Sequence, residues 1–450
     1  MYNRYYHIFR DYDIRGVFNK DLTPDVVARI GMAIASYSPN TYAIGGDTRS
    51  STPVIIKALE SGLLSSGLDV YEVGIGPIGM SLYSTLHKGY GMAYVTASHL
   101  PPEWNGIKLS RPNGDPMVGK DIYTIRDIFM CDEKIRKVGY NEVGRLYITP
   151  LLEEYKDFLR SRGGNGELRI VVDCGNGAAS LVVPNILRDL GYEVISLNCD
   201  VDHRFPARGS EPRSDRISLL SNTVREVKAD FGVAFDGDGD RTLFVDEKGR
   251  PLSAEQAAIV MLEGMGKGNV VANVECSMVL SEYVNSYGGE VYRVPVGRTY
   301  MIREIVKTDA ILGVESSGHY VVWRNLNMDD GILTLIYFSK AVSRLSGSIS
   351  EVVPSMYPIE RINLEVDDRI KFDIVKRVGK ILEKEFGYVD MTDGIRVNLE
   401  KGWVLIRPSN TEPLIRITIE ARDAEALKRI KGTFLRIVKE EIDKAKEVIK

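Results

Sequence analysis

Short apolar runs alternate with longer amphipathic stretches through most of the chain. Apolar runs of roughly four to eight residues between turn residues predict buried strands. Stretches of roughly ten to fifteen residues with helical periodicity predict the helices between them. The same order appears three times. An opening strand is expected at residues 41–47, 168–174 and 269–275, and a second strand at 68–73, 192–196 and 290–294. A third strand then runs into an unusual loop, from Gly91 to His99, Gly232 to Asp238 and Gly313 to His319. Strands alternating with helices imply βαβ units and mixed, mostly parallel sheets. Ligands of such sheets gather beyond the carboxyl ends of the strands. The expected fold class is therefore α/β: three tandem related domains, each giving one loop to a shared cleft.

The texture changes after residue 357. Residues 368–378 read as a helix, and 394–407 as two strands around a Lys401-Gly402 turn. Residues 417–419 continue that sheet, and Asp423 caps a long helix rich in Glu, Lys and Ile. This is a smaller C-terminal α+β domain. The predicted boundaries are 1–147, 148–248, 249–356 and 357–450.

Composition narrows the function. A chain of 450 residues exceeds one core, and 44% hydrophobic with 27% charged residues is ordinary for a globular protein. A net charge of −4 argues against a general nucleic-acid binder, so any anion must be held by locally placed Arg and Lys. No apolar run reaches membrane-spanning length, and the start lacks a signal-peptide core, which predicts a cytoplasmic protein. The scattered cysteines Cys131, Cys174, Cys199 and Cys276 form no C-x-x-C pair and read as reduced packing residues.

The densest chemistry lies at Asp236-Gly-Asp238-Gly-Asp240-Arg241. Like charges this close repel unless a cation intervenes, and the glycines let the backbone curl so that the carboxylates converge. Hard oxygen donors suit Mg²⁺, Mn²⁺ or Ca²⁺. A calcium loop or a solvated loop are the other readings. Glu247 falls at the twelfth position of an EF-hand loop, but Arg241 stands where that loop needs Gly, and the flanks read as strands.

Three further loops carry reactive groups. Ser98, in Thr96-Ala-Ser-His99-Leu-Pro-Pro102, lacks the G-x-S-x-G of serine hydrolases. Neighbouring side chains diverge, which argues against His99 as a base on Ser98. A serine beside a metal and basic groups suits phosphoryl transfer. Glu315 and Ser317, in the turn that ends at His319, can grip adjacent sugar hydroxyls. Arg407-Pro-Ser409-Asn410-Thr411-Glu-Pro413, with Arg416 beyond, brackets polar donors with arginines as an anion cradle. Residues 9–16, ending in Arg15-Gly16, and Asp47-Thr-Arg49-Ser50 are either salt-bridged scaffold or functional.

Taken together these motifs resemble the α-D-phosphohexomutases, the phosphoglucomutase and phosphomannomutase family. The resemblance runs from Tyr12-Asp-Ile-Arg-Gly16 to the Arg407 loop. It covers the phosphoserine loop at Thr96–Pro101, the metal loop at Asp236–Arg241, the sugar loop at Val314–His319 and the phosphate loop at Arg407–Pro413. Three positions depart from the family pattern: Leu100 for a usual Asn, Val314 for a usual Gly, and Val296-Gly-Arg-Thr299 for V-G-D-[KR].

The resemblance implies four domains around a cleft and one Mg²⁺ per chain, held by Asp236, Asp238, Asp240 and an oxygen of phosphorylated Ser98. It implies that Ser98 carries the phosphoryl group and that Arg241 steadies it. Lys108, Arg15 and His99 would assist proton transfer or charge stabilisation. Glu315, Ser317 and His319 would hold the sugar, and Arg407, Ser409, Asn410, Thr411 and Arg416 the distant phosphate. The implied activity interconverts hexose 1- and 6-phosphates of glucose or mannose through a hexose 1,6-bisphosphate, which also serves as activator. Phosphoglucosamine mutase is the alternative chemistry, although that branch tends to have Gly where Asn410 stands. A non-catalytic sugar-phosphate-binding relative is the alternative of another class. The partners are small sugar phosphates, with no nucleic acid or membrane, in a monomer or a homodimer.

Overall fold

The computed structural model describes residues 2–164, 166–322, 328–409 and 413–449. In chain order the first strands are β1 (Ile14–Val17), β2 (Tyr42–Gly46), β3 (Val70–Ile75), β4 (Gly91–Val95), β5 (Trp104–Ser110) and β6 (Leu146–Ile148). Next come β7 (Arg169–Asp173), β8 (Glu193–Leu197), β9 (Phe231–Phe235), β10 (Thr242–Val245), β11 (Val270–Asn273), β12 (Val291–Val294) and β13 (Leu312–Val314). The last are β14 (Tyr320–Val322), β15 (Ile359–Glu365), β16 (Ile395–Leu399), β17 (Gly402–Pro408) and β18 (Leu414–Ala421). The chain divides into two compact units, residues 1–266 with 317–353, and residues 267–316 with 354–450.

In the first unit one sheet runs β1-β5-β4-β2-β3-β6. β4, β2, β3 and β6 are parallel neighbours, while β5 pairs antiparallel with β4 and β1. Every residue of β2 and β4 is buried, as a strand covered on both faces requires. Ile30, Ile34, Leu59 and Leu63 of the flanking helices pack with Ile44 and Val95 in one core. That burial fixes where β4 ends and hence where Ser98 begins its loop.

A second sheet runs β10-β9-β7-β8, with β7 parallel to β8 and β9. β9 and β10 form an antiparallel hairpin in which Phe235 opposes Thr242, so residues 236–241 are its tip. Strands on both sides dispose of the EF-hand reading, which needs helices. The returning segment covers this sheet. Phe338, on the helix Gly331–Val342, stacks on Phe244 with ring centroids 3.9 Å apart.

The cysteine expectation needs correction. Cys174 and Cys199 form a disulfide, and only Cys131 and Cys276 are free. The pair is 25 residues apart in sequence. Cys174 directly follows β7 and Cys199 lies just past β8, so parallel pairing brings their Cα atoms to 4.9 Å.

In the second unit β12, β11 and β13 form a parallel ladder. The remaining sheet is fully antiparallel, β15-β18-β17-β16. Its core joins Ile406, Ile417 and Ile419 to Val378 and Leu382 of the helix Lys371–Phe386 and to Phe434 and Val438 of the helix Ala424–Ile449. The Asp423 carboxylate accepts the Ala426 N–H at 2.7 Å, the predicted cap. The link between β16 and β17 is Glu400-Lys401, one residue earlier than expected. Three α/β domains followed by an antiparallel-sheet domain is thus the architecture. Among the described residues no helix is long and apolar enough to cross a membrane.

Candidate active site

Ser98 leaves β4 after three residues and adopts a left-handed backbone, φ 50°. Its N–H donates to Thr96 Oγ1 at 2.8 Å, and Thr96 Oγ1 donates to Asp47 Oδ2 at 2.8 Å. The loop is held from below by Arg49, which is 1% exposed. Arg49 Nη2 donates to the carbonyls of Ser98 and Leu100, both at 2.8 Å. Nη1 donates to the carbonyls of Pro101 at 2.6 Å and Trp104 at 3.2 Å, and Nε to Asp47 at 3.0 Å. Residue 100 is therefore held through its main chain, a contact that Leu makes as well as Asn.

The left-handed turn overturns one expectation. Ser98 Oγ and His99 Nδ1 lie 3.3 Å apart, on the same side rather than diverging. Burial, together with Arg241, Arg15 and Lys108, pushes His99 down to about 2, so its imidazole is neutral.

Ser98 Oγ donates to Asp236 Oδ2 at 2.8 Å, across 138 positions of sequence. The backbones are as close as the side chains. A Cβ on Gly237 would lie 2.6 Å from the Ser98 carbonyl oxygen, so only glycine allows this approach. Asp236 Oδ1 closes the tip by accepting the N–H groups of Gly239 at 3.0 Å and Arg241 at 3.1 Å. Ligand atoms of Asp236, Asp238 and Asp240 all fall within 4.8 Å of one another, and all three residues are buried. Burial, then the neighbouring Asp240 and Asp238, pushes the Asp236 carboxyl well above its usual range.

Lys108 enters from β5. Its ammonium donates to Asp238 Oδ2 at 2.8 Å and Asp240 Oδ2 at 2.7 Å. Asp238 Oδ1 is buried with no hydrogen-bond partner among the described residues. Three converging carboxylates and a spare buried oxygen are a donor set that fits a hard divalent cation. Arg15, on β1 beside β5, is paired with Asp13 and raises the positive potential felt by His99.

Arg241 Nε donates to His319 Nε2 at 2.9 Å, and the two residues form a β-bridge. The opposite ring nitrogen, Nδ1, lies 3.1 Å from Asp329 Oδ1. Burial lowers the His319 pKa, but Asp329 and Asp240 outweigh it and raise the group to about 9, which favours imidazolium. An imidazolium could not accept from Arg241. A guanidinium can only donate, so Nε2 is the acceptor and the proton sits on Nδ1, facing Asp329. Arg241 is thereby held beside the metal loop, with Glu211 Oε1 3.8 Å from Nη1.

The first unit thus brings together Ser98, His99, Lys108, Asp236, Asp238, Asp240, Arg241 and His319, with Arg15 close by. Ser317 begins its returning segment and is exposed. Glu315, Arg407, Ser409 and Arg416 belong to the second unit. Glu315 is buried and accepts the Gly297 N–H at 3.0 Å, which ties it to the divergent Val296–Thr299 loop. Arg407 is bridged by Glu275 at 2.6 Å and Asp393 at 2.7 Å, so carboxylates already hold the expected anion-binding guanidinium. Arg416 faces Arg407 across the β17–β18 ladder, and Ser409 is buried at its end. Asn410 and Thr411 lie outside the described residues.

Sequence reasoning left Arg49 undecided between scaffold and function, although G-G-D-x-R after a strand is a visible signal. It missed Arg208, whose guanidinium donates to Asp173 Oδ2 at 2.8 Å and to the Phe235 carbonyl at 2.6 Å, just before the acidic tip. It also missed Asp329, which orients His319. Neither has a local sequence signature.

Models of four successive domains match the chain. They are the phosphoglucomutase/phosphomannomutase alpha/beta/alpha domains I, II and III, over residues 7–136, 146–249 and 254–359, and the C-terminal domain over 362–437. A "Probable phosphoglucosamine mutase" of Pyrococcus abyssi is 35% identical over 443 residues, covering 96% of this chain and 98% of that protein. One of the same name from Methanopyrus kandleri is 36% identical over 451 residues, with the same coverage of 96% and 98%. The crystal structure of a phosphoglucomutase/phosphomannomutase family protein from Burkholderia thailandensis is similar with a TM-score of 0.86 at 26% identity, covering 96% of this chain and 97% of that one.

Proposed function

We propose, from the premise that this chain belongs to the phosphoglucomutase/phosphomannomutase family, that it interconverts glucosamine 1-phosphate and glucosamine 6-phosphate. The names of its relatives favour this alternative over the glucose or mannose substrate expected first from the sequence. The observation that carries the chemistry is the Ser98 hydroxyl, 2.8 Å from the first carboxylate of a buried acidic triad. The division into domains at 1–147, 148–248, 249–356 and 357–450 is part of the same reading.

In this reading phosphorylated Ser98 gives its phosphoryl group to the free hydroxyl of a bound hexose phosphate. The bond from phosphorus to Ser98 Oγ breaks, a bond to the sugar oxygen forms, and the proton released by the sugar hydroxyl is balanced by one taken up at Ser98 Oγ, which is left as the free hydroxyl. The resulting 1,6-bisphosphate turns over, and Ser98 Oγ takes back the other phosphoryl group. Asp236, Asp238 and Asp240 would hold Mg²⁺, which supplies charge stabilisation to the transferring oxygens. Arg241, oriented by His319, and the Lys108 ammonium add positive charge beside that group. Neutral His99, 3.3 Å from Ser98 Oγ, orients the serine oxygen by a hydrogen bond rather than by taking its proton. Glu315 and Ser317 bind sugar hydroxyls, and Arg407, Ser409, Asn410, Thr411 and Arg416 bind the phosphate that is not transferring.

A second reading, glucose or mannose phosphate, is favoured by Asn410, which follows Ser409 where glucosamine enzymes tend to have Gly. The test is kcat/KM for glucosamine, glucose and mannose 6-phosphates under one condition. The proposal expects glucosamine 6-phosphate to lead. A lead by glucose or mannose would replace it with the second reading, and no turnover of any would favour the non-catalytic binder.

A further inference from the structure

The first sheet ends at β6, which among the described residues pairs only with β3, so its other edge carries no described strand. The Arg145 carbonyl accepts the Val70 N–H at 2.9 Å, and the Thr149 N–H donates to the Glu72 carbonyl at 2.8 Å. Backbone groups alternate along a strand. Residues 145, 147 and 149 therefore face β3, while Leu146 and Ile148 direct their N–H and C=O groups outward. The next outward position is Pro150, which has no N–H and ends the ladder.

Open edges are commonly blunted by lysines, prolines or inward charges. Here Leu146 to Thr149 carry no charge, and the side chains of Leu146 and Ile148 are 40% and 62% exposed. Tyr140 and Val143, just before the strand, are also exposed. The opposite face carries aromatic stacking toward the edge. Tyr90 stacks on Tyr71 with centroids 4.3 Å apart, and Tyr71 on Tyr147 at 4.8 Å. That spacing is about the interval between neighbouring strands, about 4.8 Å, so the stack is built to accept another ring at the next strand position.

We infer that β6 is a dimerisation edge that pairs antiparallel with β6 of a second copy about a two-fold axis at Tyr147. This register is self-complementary. Leu146 opposes Ile148 of the other copy, and both present outward backbone groups, so the pair exchanges hydrogen bonds twice. Tyr147 meets its symmetry mate in a non-hydrogen-bonded pair, where side chains approach most closely. The tyrosine stack then runs unbroken through both sheets. Arg145, exposed and without an ion-pair partner among the described residues, lies toward the other copy's helix start, where Glu153 and Glu154 are already engaged by Lys156 and Lys88. A parallel or one-residue-shifted pairing loses either the two-fold or the match of outward backbone groups.

Sedimentation equilibrium of the full chain tests this, with Ile148→Lys and Tyr147→Cys as variants. Wild type should be a dimer. Ile148→Lys, a change at an exposed position, should be monomeric at every loading where wild type is dimeric, with mutase activity retained. Tyr147→Cys should form an inter-subunit disulfide under mild oxidation that wild type, which keeps Cys131, does not. A monomeric wild type overturns the inference, and so does a dimer that survives Ile148→Lys. Failure of Tyr147→Cys to cross-link within a dimer excludes this register. None of these readouts depends on which sugar is turned over.

Discussion

Replacing Arg49 by Met isolates the scaffold beneath Ser98. The guanidinium spends its five N–H donors on five acceptors, the carbonyls of Ser98, Leu100, Pro101 and Trp104 and the Asp47 carboxylate. Methionine fills most of the volume and donates to none of them. Asp47, which is 0% exposed and whose pKa burial already raises despite Arg49, would keep the hydroxyl donors Thr52 and Thr96 but lose its counter-charge. Breaking a buried pair by removing one partner costs about 3–5 kcal/mol. Four carbonyls without donors add to that unless water reaches them. Urea unfolding of Arg49→Met should therefore show a loss of about 3–5 kcal/mol. Activity should fall more than stability alone dictates, because the same bonds set the position of Ser98. A misplacement of about 1 Å costs on the order of 100-fold in rate. Well below the unfolding transition, kcat should drop by about that factor with KM nearly unchanged. Arg49→Lys, which keeps the charge but has fewer donors, should fall between the two. A destabilised Arg49→Met enzyme with wild-type kcat would refute the positioning argument and leave Arg49 a stability residue only.

Asp238→Asn should raise the Mg²⁺ concentration needed for half-maximal rate and lower the rate at saturation, since it removes charge from the triad while Asp236 and Asp240 remain. An unchanged magnesium titration would remove Asp238 from the metal site. Asp330 makes a pH prediction. It caps the helix Gly331–Val342 and accepts Tyr155 Oη–H at 2.7 Å, and burial raises its pKa to about 6. A carboxyl raised on folding stabilises most below its unfolded pKa, and that contribution is lost as pH rises through the folded value. The stability difference between wild type and Asp330→Asn should therefore shift against wild type by about 2 kcal/mol between pH 4 and 7. A difference independent of pH contradicts this.

Much of the fold was legible because its strands are buried on both faces. β2, β4, β7, β9 and β11 read as apolar runs that cannot be mistaken for amphipathic helices. β15 escaped because Ile-Glu-Arg-Ile-Asn-Leu-Glu alternates exposed and partly buried positions and begins straight after a linker. The acidic tip was readable because like charges and glycines are contiguous in sequence. The Cys174–Cys199 disulfide, Arg208 and Asp329 were not, since each acts through a partner that only strand pairing or chain return brings near. The orientation of His99 toward Ser98 depends on one backbone angle, which residue identity alone does not set.

The central claim is that Ser98 carries the phosphoryl group between substrate positions. Intact-mass and peptide spectra of the protein treated with glucose 1,6-bisphosphate and Mg²⁺, before and after addition of excess hexose 6-phosphate, test it directly. One phosphoryl group on the Ser98 peptide that turns over on adding sugar phosphate, and is absent from Ser98→Ala, is the predicted result. A protein that converts hexose phosphates with residue 98 never modified would contradict the account.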